Sequence, residues 1–343
     1  MGVVDEADPR SQSRFLRTPR PLLPGLVAAL GVAAVAEPLG RLAPVVGAPV
    51  FAIALGAAAA ALLGERPSLQ PGAAFASRTV LQGAIVVLGL SLSLTRVASV
   101  GRTSLPVMLG SLAAALVVAV VAGRLLRIGP ALRTLVGVGT GICGASAIAA
   151  VSGVVGAADT EIAYAVSTIF AFNVVAVVLF PLLGHLFGLS SHAYGLWAGT
   201  AVNDTSSVVA AAYAYGHAAG AYAVIVKLTR TTMIIPIVLA LAGLRLRRTG
   251  ARSERSLRRV APWFLLWFVL AAALNSTGVI GASLGHDASQ LGVVLITVAL
   301  AGVGLSTRFA TIRRTGARPL LLGALVWASV ASSSLLLIWA TST

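Results

Sequence analysis

Apolar residues dominate this chain in long blocks, and the blocks are separated by short polar stretches. Eleven blocks are long enough to span a bilayer as helices: about 22–38, 46–64, 74–94, 104–122, 131–153, 162–187, 193–213, 220–243, 260–279, 288–306 and 319–339. Two of them contain polar or flexible residues where a membrane helix is normally most apolar. The block 131–153 carries GTGICGAS (139–146), and the block 193–213 carries AVNDTSSVVA (201–210). The pattern predicts an all-α polytopic membrane protein of about eleven transmembrane helices, with interrupted helices near the membrane midplane.

Composition agrees: 58% of residues are hydrophobic and only 10% are charged. A net charge of +15 raises the question of nucleic acid, but the basic residues sit in short segments between apolar blocks, as in cytoplasmic loops. No nucleic-acid partner is expected; the partner that the composition demands is the lipid bilayer. Residues 1–21 read as a polar cytoplasmic tail and 22–343 as one transmembrane domain. The segment 245–259 (RLRRTGARSERSLRR) carries seven arginines and one glutamate and reads as a cytoplasmic loop. Counting outward from it places Arg124, Arg127, Arg133, Arg308, Arg313, Arg314 and Arg318 inside, the acidic turn at Asp159 and Glu161 outside, the N-terminus inside and the C-terminus outside. Arg96 and Arg102 fall outside, against the rule. The single cysteine, Cys143, excludes an intramolecular disulfide.

Internal echoes are present. PVFAIALGAAAAALLG (49–64) resembles PWFLLWFVLAAALNS (262–276), and LGLSLSLTRVASVGRTSLP (88–106) resembles LAGVGLSTRFATIRRTGARP (300–319). An odd number of spans separates the partners, so they point in opposite directions, the inverted repeat common in secondary transporters. Chance similarity between low-complexity segments is the alternative. GTGICGASAIAA (139–150) also aligns without gaps to GTAVNDTSSVVA (199–210). If every block crosses the membrane, these two run in the same direction and do not fit the inverted scheme.

An ionised Asp at the bilayer centre costs about 2.5–3.5 kcal/mol on insertion scales, which makes Asp204 a functional candidate. Asn203 and Thr205 are placed with it at a coupling-ion site, and Asn173 in FAFN is an accessory candidate. Gly141, Cys143, Gly144 and Ser146 lie where the first block is interrupted, and a helix start exposed there binds anions through its N–H groups. Ser206 and Ser207 contribute hydroxyls. Lys227, the only lysine, and Arg230 lie one turn apart inside the block 220–243. Together these residues form the expected substrate site. Asp159 and Glu161 read as solvated or helix-capping, and the histidines His185, His192, His217 and His286 sit near block ends without metal-ligand spacing. No cofactor is expected. Catalysis is not expected either: aspartyl chemistry needs two carboxylates, and a Ser–Lys dyad with Lys227 is the only enzymatic alternative. No ATP-binding GxxxxGK[ST] is present in the sequence.

At these residues the chain resembles the YeiH-type family of sulfate exporters. GTGICGASAIAA, TAVNDTSSVVAAA, KLTRTTMIIP, PWFLLWFVLAAALNS and the LAGVGLSTRF…GARPLLL segment follow that family's order over about residues 45–325. The resemblance implies a bacterial inner-membrane protein, kinship with sodium/proton antiporters and bile-acid symporters, crossed interrupted helices and a homodimeric assembly. Relatives carry His before the acidic residue of the second motif; here the position is Asn203, which leaves Asp204 as the coupling residue. The functional expectation is a secondary transporter of a small anion coupled to Na⁺ or H⁺. A passive channel is the alternative within transport, and a receptor that binds without flux is the alternative outside it.

Overall fold

The computed structural model describes residues 22–42, 47–64, 66–249, 263–307 and 316–342. The tail 1–21, the basic loop from residue 250 onward, and Arg308, Arg313 and Arg314 lie outside them. The described residues are helical, as the apolar blocks predict. In chain order they form α1 (Leu23–Leu42), α2 (Gly47–Leu63), α3 (Gln70–Phe75), a π-helical turn (Ala76–Val80), α4 (Leu81–Gly89), α5 (Leu94–Leu125), α6 (Pro130–Gly141) and α7 (Ala145–Val155). They continue with α8 (Asp159–Leu186), α9 (Ser191–Ala201), α10 (Thr205–Tyr215), α11 (His217–Thr232), α12 (Ile234–Thr249), α13 (Trp263–Ser276), α14 (Ala282–Leu305) and α15 (Ala317–Ser342). Among the described residues, seven helical stretches are long and apolar enough to cross a membrane: Leu23–Leu42, Gln70–Gly89, Leu94–Leu125, Thr160–Leu186, His217–Leu241, Ser283–Leu305 and Ala317–Thr341.

Every apolar block is present as helix among the described residues, but two follow an unexpected path. The block 131–153 is α6 and α7, and α7 turns back. Glu161, at the start of α8, lies beside Gly129, at the start of α6, with its Oε1 3.5 Å from where a Cβ on that glycine would stand. The chain therefore enters and leaves at one face. The acidic turn around Asp159 and Glu161 accordingly lies on the same face as Arg124 and Arg127, not on the opposite one. Glu161 caps α8 there, its Oε2 accepting from the Ala158 N–H at 3.0 Å.

The block 193–213 does the same from the other end of α8. The rings of Tyr194 and Tyr215, near the start of α9 and at the end of α10, stack with centroids 3.7 Å apart. Tyr215 also donates to the Leu189 carbonyl and stacks on His185. The protein thus contains two re-entrant hairpins, α6–α7 and α9–α10, that dip in from opposite faces. Their sequences, GTGICGASAIAA and GTAVNDTSSVVA, consequently run in opposite directions, and the conflict in orientation disappears.

The helices sort into two groups by their packing. α1, α2, α3, α4, α13 and α14 pack on one another; α5, α6, α8, α9, α11 and α15 form the other group and hold both hairpins. Small residues allow very close approach within the first group: Gly56 of α2 and Gly304 of α14 face each other with no room for a side chain. Across the seam, α10 touches α2 and α14, and α13 touches α5.

Candidate functional site

The tips of the two hairpins meet inside the bundle, Gly144 against Asp204. A helix interrupted in a membrane leaves carbonyls at the end of its first half and N–H groups at the start of its second without intrahelical partners. The first problem has one shared answer. The Lys227 ammonium donates to the Ile142 carbonyl at 2.8 Å and to the Val202 carbonyl at 2.9 Å. Ile142 and Val202 are the C-caps of α6 and α9. One fully buried cation therefore neutralises the negative ends of two helix dipoles. Its own backbone carbonyl accepts from Thr231 Oγ1 at 2.9 Å.

The N–H problem is answered differently at the two tips. At the second tip, Asp204 is the N-cap of α10, with Oδ1 accepting from the Ser207 N–H at 2.8 Å and from Ser206 Oγ at 2.5 Å. Its Oδ2 accepts from Ser207 Oγ at 3.0 Å and from the Asn173 amide. Asn173 Oδ1 in turn accepts from the N–H groups of Asn203 and Asp204, at 3.2 and 3.4 Å. One side chain from α8 thus holds the second tip by backbone and carboxylate together. At the first tip, Gly144 is the N-cap of α7 and offers no side chain; its φ of +72° suits glycine. A Cβ at Gly144 would stand 3.2 Å from the Asp204 Cβ, so the two tips touch there.

A cavity of about 870 Å³ opens beside this meeting point, in the seam between the two helix groups. From the hairpin group it is walled by Cys143, Ser146, Asn173, Asp204, Thr205 and Ser206, and from the other group by Ser77, Arg78, Gln82 and Ser306. The cavity includes the start of α13 at Phe264 and the end of α14 at Ser306, which puts its mouth on the arginine-rich face. Of the residues selected from the sequence, Gly141, Gly144, Asn203, Ser207, Lys227 and Arg230 do not line it. Gly141 packs on Leu112 and Ala115 of α5. Asn203 is 1% exposed, and its amide has no hydrogen-bond partner among the described residues. Arg230 is wholly buried one turn beyond Lys227, and none of its three guanidinium nitrogens has a partner among the described residues.

Arg78, Gln82, Ser77 and Ser306 were not selected by sequence reasoning. Arg78 and Ser77 ride on the π-helical turn, a local widening that recurs at functional sites. The signal available in sequence was a polar trio, Ser77, Arg78 and Gln82, inside an apolar block. Chemically the cavity is two-sided. Arg78 and the uncapped start of α7 favour negative charge, while the Asp204 carboxylate favours a proton or a metal cation.

Paired re-entrant hairpins meeting at a carboxylate, inside an apolar bundle of long helices, define a polytopic membrane protein with a polar centre. The chain belongs to the family described as "Conserved hypothetical protein 698", which matches residues 24–323, in keeping with the YeiH-type resemblance of its motifs. It is 44% identical to a UPF0324 membrane protein of Streptococcus pyogenes, over 91% of this chain and 95% of that one. It is 41% identical to one of Streptococcus pneumoniae over the same shares, and 39% identical to one of Clostridium tetani, over 82% of this chain and 86% of that one.

Proposed function

We propose that the protein is a secondary transporter that moves a small anion, sulfate or a related oxyanion, across the bacterial cytoplasmic membrane by alternating access, coupled to Na⁺ or H⁺. The observation that carries this reading is the placement of the cavity: it lies between two helix groups and ends on the meeting point of two opposed hairpins. Movement of one group against the other closes such a cavity on one face and opens it on the other.

Arg78, Ser146 and the start of α7 supply the anion's first contacts. Arg230, whose guanidinium has no acceptor among the described residues, is the charge an anion reaches when the tips shift, past Cys143. Lys227 acts at one remove, by holding both tips in register. Asp204 with Asn203 and Thr205 forms the coupling half: three oxygen-bearing side chains suit Na⁺, and the carboxylate alone suits H⁺. With the N-terminus cytoplasmic, the cavity opens to the cytoplasm. A Ser–Lys hydrolase fits less well, because the Lys227 ammonium is already engaged by two carbonyls.

Purified protein in liposomes tests the reading by counterflow of radiolabelled sulfate and a panel of small anions. Wild type carries one of them, Arg78→Gln raises the half-saturating concentration about tenfold or more, and Asp204→Asn abolishes dependence on a Na⁺ or H⁺ gradient. No flux of any anion by folded wild type sinks the proposal and favours a binding-only receptor.

A further inference from the structure

The face opposite the arginine-rich one carries a second concavity, of about 590 Å³. It lies where α5, α11 and α14 begin and where α4 and α13 end. Its wall includes Arg96, His217, His286, Asn275, Ser91 and Ser289 and, among the described residues, no carboxylate. The acid nearest in sequence, Asp287, is exposed and does not line it. Among the described residues the ion pair is Arg41–Glu37, so Arg96 has no carboxylate partner there.

Three features converge on negative charge. Arg96 is an arginine on the face that membrane proteins keep poor in arginine, a placement that needs a reason. All four histidines of the chain, His185, His192, His217 and His286, lie on this face, at the end of α8 and the starts of α9, α11 and α14. Two of them reach the concavity, and His217 Nε2 is held there by Ser289 Oγ at 2.9 Å. Finally, α11 and α14 both begin at its wall from glycine N-caps, Gly216 and Gly281, that offer no side-chain cap.

We infer that this vestibule is an oxyanion-binding site and the second mouth of the transport route, with Arg96 as the forked donor and His217 and His286 as its flanks. A guanidinium presents parallel N–H groups to two oxygens of a sulfate-like anion, which a spherical halide cannot use. The role as a mouth rests on the transport reading; the binding does not. The two concavities lie along three common helices: α4, with Ile85 on one and Ser91, just past its end, on the other; α11, from Ala221 to Thr231; and α14, from Ser289 to Val303. Their middle turns form the partition between the mouths.

Histidine acylation by diethyl pyrocarbonate, read residue by residue by mass spectrometry, tests the site in full-length protein in lipid nanodiscs. Sulfate, compared with chloride at equal ionic strength, slows modification of His217 and His286 roughly tenfold when about nine-tenths of sites are filled, and leaves His185 unchanged. Arg96→Gln abolishes the protection, whereas Arg78→Gln, at the other cavity, leaves it intact; melting curves confirm that both variants are folded. Absence of protection in wild type overturns the proposal without need of any variant. Protection that persists in Arg96→Gln, or that extends equally to His185, overturns it as well. Liposomes that show no anion flux while sulfate still protects His217 and His286 would refute the transport reading and leave the site standing.

Discussion

The two hairpins share a backbone plan and differ in their chemistry. Each has a short helix, a break of three residues and a second short helix, and each surrenders its C-cap carbonyl to the same ammonium. At α7 the cap is Gly144, which leaves the positive end of a helix bare beside the cavity; at α10 the cap is Asp204, which covers that end with a carboxylate. A symmetric scaffold therefore carries opposite electrostatic signs on its two tips. An anion and a cation can each find a partner within one cavity, which is what coupled movement of the two requires.

Four substitutions separate what the tips share from what divides them, in order of expected loss of stability. Lys227→Met removes the shared donor and leaves two buried carbonyls unpaired, at about 1–3 kcal/mol each; a large fall in melting temperature or a loss of monodisperse protein on size-exclusion chromatography is the expected result. Near-wild-type melting would show that the tips do not depend on the ammonium. Asn173→Leu strips Asp204 of one donor and the tip N–H groups of their acceptor, and costs about 1–3 kcal/mol. It touches only the second tip, so an effect as large as that of Lys227→Met contradicts the shared clamp.

Gly144→Ala forces a side chain into a positive-φ backbone open essentially only to glycine, at about 1–3 kcal/mol, and sets its Cβ 3.2 Å from that of Asp204. Reduced flux with a modest melting shift is expected, and unchanged flux would mean that the tips need not touch. Asp204→Asn retains the capping oxygen but turns the second oxygen into a donor that faces the Asn173 amide, at about 1 kcal/mol, and removes the charge. Stable protein that has lost its gradient dependence distinguishes this tip from the other; retained coupling would reduce Asp204 to a helix cap.

Much of this architecture was legible in the residues. The apolar blocks located the helices, and the polar run at 203–207 and the glycines at 139–144 located both breaks. The reversal at each break was not legible, because two half-length helices in a hairpin have the same length and hydropathy as one helix that crosses. Contacts distant in sequence, such as Tyr194 on Tyr215, decide between the two paths. Lys227 was visible as an anomaly, but its partners are main-chain carbonyls 25 and 85 residues away, and any residue type supplies a carbonyl. Arg78 escaped notice because an arginine at the start of an apolar block ordinarily reaches back to the interface, and a π-helical turn leaves no compositional mark. Asn173 stood out as a costly polar side chain in mid-helix, and it bonds the second tip.

The chain's one thiol stands on the cavity wall, at the first tip, 4% exposed. On the transport reading, a single chemical reporter therefore stands where opening and closing matter most. A bulky, membrane-impermeant maleimide needs no engineered background: on that reading, its rate of attachment from one side of the vesicle follows the fraction of molecules whose passage is open to that side.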